Sequence, residues 1–114
     1  MNSAYIISTH IRYGLVLLAL LFSPWVHADS IALIQEWLHA LEKNPEDAAI
    51  LDKLGRAYLR QEEYEKAIDY GNRLIDLGES KNDRNFAVAN GLFISGAAAS
   101  MLERREEAFR NLEN

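Results

Sequence analysis

Apolar residues recur along this chain at spacings of three and four, the period of an amphipathic helix. Ile31, Ile34, Leu38 and Leu41, flanked by Leu33, Trp37 and Ala40, predict a helix over residues 31–43 with Ser30 as its cap. Asn44-Pro45-Glu46-Asp47 reads as a stop followed by a start. Asn44 suits a cap, Pro45 the first helical position, and the acids face the positive end of the helix dipole. A second helix is expected over 45–60, burying Ile50, Leu51, Leu54, Ala57 and Tyr58. After a turn at 61–63, a third is expected over 63–77, with Gly78 ending it in a left-handed conformation. Residues 79–83 read as loop. An Ala- and Gly-rich fourth helix follows over 84–102, then a turn at Glu103-Arg104-Arg105 and a fifth helix from 106. No stretch alternates as a strand does. The fold class is therefore all-α, with about five helices after the leading segment.

That leading segment has a different pattern. Residues 1–12 carry Arg12 and the free amino group, residues 13–22 are unbroken apolar, and Val26-His27-Ala28 ends in a small residue. This is the layout of a secretory signal peptide. The apolar run is about half the ~20 residues that span a bilayer stably. Pro24 is expected to break the helix, leaving residues 26–28 extended for a peptidase that cuts after Ala28. Residues 1–28 are thus assigned to the signal and 29–114 to the helical domain, with an uncleaved inner-membrane anchor as the alternative. Residues 13–22 are the membrane-seeking stretch.

The formal net charge is −5, and it moves to −6 once Arg12 leaves with the signal. An acidic domain without a basic patch argues against nucleic acid as a partner. There are no cysteines, so no disulfide and no lipid-modified cysteine holds the chain. Of three histidines only His39 follows Ala28. One His without Cys or a second His makes neither a metal site nor a nucleophilic triad. Gly91 and Gly96 fall inside a helix, where no phosphate loop forms. Catalytic residues, cofactor and metal are all expected to be absent.

Leu51-x2-Leu54-Gly55-x2-Tyr58, followed by Tyr64 and Ala67, resembles the tetratricopeptide repeat (TPR) signature of about 34 residues. Leu51 stands where the family often has Trp. Ala40-Leu41 before Asn44-Pro45 resembles the close of a preceding repeat. Small residues at Gly55 and Ala67 are expected to let two antiparallel helices approach, with Leu54, Tyr58 and Tyr64 filling the space beside them. A degenerate second repeat is read at an offset of 41 residues, with Leu92, Gly96 and Ala108 matching Leu51, Gly55 and Ala67. Ser95, Ala99 and Arg105 depart from the pattern there.

The resemblance implies helical hairpins stacked as a short right-handed solenoid, and a groove lined by the first helix of each pair. Carried onto this chain, the groove would show Asp52, Lys53, Arg56, Leu59 and Arg60, then Asn90, Phe93, Ile94, Ala97 and Met101. It would take another protein's peptide or helix, acidic and apolar in character. The alternative reading makes Lys53, Arg56 and Arg60 a solvated face and places Phe93 and Met101 in the core. Phe109 and Leu112 have no later helix in the sequence to cover them, so either a homo-oligomer through residues 84–114 or a longer parent chain is expected. The functional expectation is a non-catalytic adaptor or assembly factor in the periplasm of a Gram-negative envelope. The alternative is an accessory subunit of an envelope enzyme or transport complex.

Overall fold

The computed structural model describes residues 24–113; the apolar run at 13–22 and its positive start lie outside the described residues. Helix α1 spans Pro24–Lys43, α2 Ala48–Arg60, α3 Tyr64–Ser80 and α4 Ala89–Glu113, with a π-helical turn, Arg84–Val88, leading into α4. No strand occurs among the described residues, and the fold is all-α. Contacts divide the chain into residues 1–33 and residues 34–114. Of the first unit the described part is the opening of α1, where Ile31 and Leu33 are exposed. The second unit contains the core.

The start of α1 corrects the expectation at residues 26–28. Residues 26–28 are helical, and Ser30 lies inside the helix rather than capping it. A proline disrupts the turn before it, but its fixed φ and missing N–H suit a helix's first turn. After α1, the Asn44 side chain accepts from the Glu46 N–H at 3.4 Å, and Asp47 caps α2 by accepting from the Ile50 N–H at 3.2 Å. Helix α2 therefore begins at Ala48, three residues later than expected from Pro45.

The next two connections share one design. The Glu63 N–H reaches back to the Tyr58 carbonyl at 3.0 Å, and the Asp83 N–H to the Gly78 carbonyl at 2.7 Å. Each loop places one residue at positive φ: Glu62 at 62° and Asn82 at 56°. This six-to-one closure is the Schellman stop, made here with non-glycine residues. Gly78 does not end α3 and has no positive φ. It is needed instead for proximity: a methyl added to it would lie 2.8 Å from Ala87 Cβ and 2.8 Å from the Val88 nitrogen.

Asp83 accepts from the Phe86 N–H at 3.2 Å and opens the π-turn, which closes with Val88 N–H to the Asp83 carbonyl at 3.1 Å. From Ala89 the helix runs without a break to Glu113, so the expected turn at 103–105 is absent and α4 replaces the expected fourth and fifth helices. Glu-Arg-Arg-Glu-Glu contains good helix formers and no Gly or Pro to stop them. Arg105 also ties this stretch to α3, 3.2 Å from Glu65 and with its guanidinium 5.2 Å from the Tyr64 ring centre.

The core is wholly apolar. Leu51, Leu54, Leu74 and Ile94 are the largest side chains fully removed from solvent, with Ala67, Ala87 and Ala98 between them. Each buried Leu or Ile contributes about 1.5–3 kcal/mol. Residues 84–113 are long and apolar enough to cross a bilayer by length and composition. Their stripe of Ala87, Gly91, Ile94 and Ala98 is nonetheless buried within the bundle.

Candidate partner-binding face

The exposed faces of α2 and α4 meet at Arg56. Its Nε donates to Asp52 Oδ1 at 2.9 Å and its Nη2 to Asn90 Oδ1 at 2.7 Å, while the guanidinium lies 5.1 Å from the Phe93 ring centre. One side chain thus links α2 to α4 through a charge-assisted bond and an aromatic contact. Lys53 lies 5.9 Å from the Trp37 ring centre. Arg60 is exposed in the last turn of α2.

Around these cations the surface is apolar. Phe93 is 55% exposed, Met101 and Phe86 each 40%. On α4, residues 90, 93, 97 and 101 fall along one side of the helix, and Phe86 precedes them in the π-turn. The structure brings Asp52, Arg56, Asn90 and Phe93 together and leaves Phe93 and Met101 outside the core. It removes Ile94 from that surface. Ile94 is fully buried, and a methyl on Gly55 would touch its side chain at 3.0 Å. Leu59 is half-buried against the core rather than open to a partner.

The packing residues divide in the same way. Leu51, Leu54, Gly55, Tyr58, Tyr64 and Ala67 are all buried. The neighbours of Gly55 are Ile94 and Tyr70, so it makes room for those side chains. The second repeat at the 41-residue offset is overturned. Gly96 has nothing within 4 Å of an added methyl, and Leu92 is 58% exposed. Ala108 is exposed on the final turns of α4. The working glycine of α4 is Gly91. A methyl there would lie 2.7 Å from the Gly71 carbonyl oxygen and 2.9 Å from the Ile75 nitrogen. Glycines at 71, 78 and 91 inside helical pattern were the available signal, together with small residues at 87, 91, 95 and 98.

Little in this region is poised for acid–base work. Tyr58 stacks on Tyr70 with centroids 5.5 Å apart and planes 13° from parallel. Burial lifts its phenol above the ordinary 10.0; Tyr70 and Glu63 push the same way and Lys66 opposes. The Lys66 ammonium is itself held above its usual range by the Glu63 carboxylate that accepts its hydrogen bond. His39 is exposed, 3.8 Å from Glu42. No group of three His, Cys, Asp or Glu among the described residues is placed to hold a metal ion.

Residues 36–69 match the family model described as a tetratricopeptide repeat. The match takes in the last turns of α1, all of α2 and the first turns of α3, the part of the molecule where the buried residues of the signature lie. No curated protein and no solved structure matches the chain. Residues 36–69 thus carry one tetratricopeptide repeat.

Proposed function

We propose that this protein is a non-catalytic binding module, an adaptor or assembly factor that works in the periplasm and holds another protein along the α2–α4 face. TPR repeats generally mediate protein–protein interaction. The observation that carries the proposal is exposed Phe93 held against the Arg56 guanidinium, with Phe86 and Met101 also exposed. Exposed aromatics next to cations fit a partner segment that is apolar and acidic. The apolar groups supply burial, and the charges guide approach and set register. Arg56 is already engaged by Asp52 and Asn90, so it shapes the face. Lys53 and Arg60 are left as the steering charges.

The test is pull-down and in-cell crosslinking from an envelope extract, with a Lys53→Glu, Arg60→Glu, Met101→Ser variant beside the natural chain. The variant should keep its helical signal and lose the crosslinked partner. Equal recovery by both proteins would remove this face from consideration. N-terminal sequencing of the exported form addresses location: a mature start at Asp29 is expected, and an intact Met1 would support the inner-membrane anchor.

A second reading draws on a different observation. Phe109 is 62% and Leu112 82% exposed, on the helix side that Ala87, Gly91, Ile94 and Ala98 bury earlier in α4. In this reading the chain is a permanent subunit of a larger envelope complex, or of a homo-oligomer, docked through residues 84–114. Light scattering and native gel filtration distinguish the two. A monomer mass across micromolar concentrations counts against the oligomer.

A further inference from the structure

A cleft of about 550 Å³ opens between α1 and α3 and shares no lining residue with the α2–α4 face. Its volume lies within the range of about 300–1,000 Å³ usual for small-ligand sites. Leu38, Leu41 and Tyr70 form its apolar side; Leu41 is buried and the other two are half-buried. Gln35, His39 and Arg73 stand at its exposed rim.

Its charges are unevenly used. Glu42 faces His39 at 3.8 Å. Arg73 lies with its guanidinium 5.2 Å from the Tyr70 ring centre and has no carboxylate partner among the described residues. A guanidinium held against a ring has lost part of its rotamer freedom already, so its fork of N–H donors is partly pre-oriented for a planar anion. The Glu42 carboxylate in the same lining repels every anion, and a doubly charged one such as phosphate more than a monoanion. The apolar wall beside Arg73 calls for a hydrocarbon group on the same ligand.

We propose that this cleft is a second binding site, selective for a carboxylate joined to an apolar side chain, with Arg73 taking the carboxylate and Leu38, Leu41 and Tyr70 taking the hydrocarbon. The carboxylate belongs either to a chain terminus or to an acidic side chain next to a leucine-like residue. The proposal is independent of the α2–α4 face, and its test uses different residues.

The experiment is a heteronuclear NMR titration of the full chain with three probes: N-acetyl-leucine, N-acetyl-leucinamide and N-acetyl-leucyl-aspartyl-amide. Saturable shifts at Leu38, His39 and Tyr70 are expected with one or both acids, and the one that binds tells terminal from side-chain carboxylate. The neutral amide should bind at least about tenfold more weakly. Arg73→Gln should weaken the acid by about tenfold, as loss of a charge-assisted bond does, while leaving the helical signal intact. Gln35→Ala, on the opposite wall, provides an exposed second variant that should weaken binding less. Equal binding of acid and amide, displacement by equimolar inorganic phosphate, unchanged affinity in Arg73→Gln, or no saturable shift with either acid would each overturn the proposal.

Discussion

Between α3 and α4 the backbones touch. Gly71 and Gly91 face one another across the crossing, and Gly78 admits Ala87 and Val88 about two turns further along α3. Around α1 the spacing is set by side chains. Ile34 and Leu41 enter the core, and Trp37 and Leu38 pack against it, but no glycine lies on that side to bring the helices close. The first arrangement is closed, rigid and intolerant of added volume. The second is bordered by the cleft lined by Leu38, Tyr70 and Arg73. Helices separated by large side chains can carry a site between them, whereas helices joined through glycine carry theirs on the outer faces, as α4 does with Phe93 and Met101.

The sharpest way to break this contrast is to add volume at the glycine crossing. Gly91→Val should cost about 3–4 kcal/mol, because the atoms in the way are the Gly71 carbonyl and the Ile75 backbone, which cannot rotate aside. Urea denaturation would read the loss as a lower midpoint, and an unchanged midpoint would mean the crossing is looser than described. Removing volume at the α1 seat comes next. Leu41→Ala should cost about 2–3 kcal/mol, near the low end for a buried leucine because the adjoining cleft lets water reach the gap. A loss above that of Gly91→Val would reverse the ranking of the two seams.

Gly96→Ala is the control within α4. Nothing lies within 4 Å of the added methyl, so the change should stabilise by about 0.5–1 kcal/mol through the unfolded chain alone. A destabilising result would show that Gly96 meets something in solution. The smallest expected effect is on pH. Folding raises the proton affinity of Tyr58, mainly by burial, and of Lys66, mainly through Glu63. The native state then holds protons that the unfolded chain releases first. This part of the stability is complete below about pH 10 and falls as pH rises through the folded-state values. Tyr58→Phe should flatten the decline in unfolding midpoint between pH 9 and 11.

Much of the α2–α3 hairpin was legible in the residues. Leu51, Leu54, Tyr58, Tyr64 and Ala67 follow helical periods, and the structure buries each of them. The helix ends were harder to read, because competing signals stood close together. Residues 26–28 are expected to be extended and are helical; Gly78 is expected to be a left-handed cap and is a contact. At Gly78 residue type named a capability, and only the neighbouring helix showed which capability was used. The register of the resemblance puts Ile94 in the groove, and the structure puts it in the core. The π-turn at Arg84–Val88 and the unbroken run to Glu113 set a register for α4 that no repeat spacing announced.

By itself the sequence determined that this chain is helical, that residues 51–67 pack as a hairpin, and that its core is apolar without disulfides. Those properties follow from local periodicity and side-chain size, which act over a few turns. Tertiary structure decided which glycines meet, which face of α4 is covered, that Arg56 is engaged by Asp52 and Asn90, and that Arg73 stands over Tyr70 beside an open cleft. These depend on distances between residues far apart in the chain, and such distances are fixed only when every helix is packed against its neighbours at once.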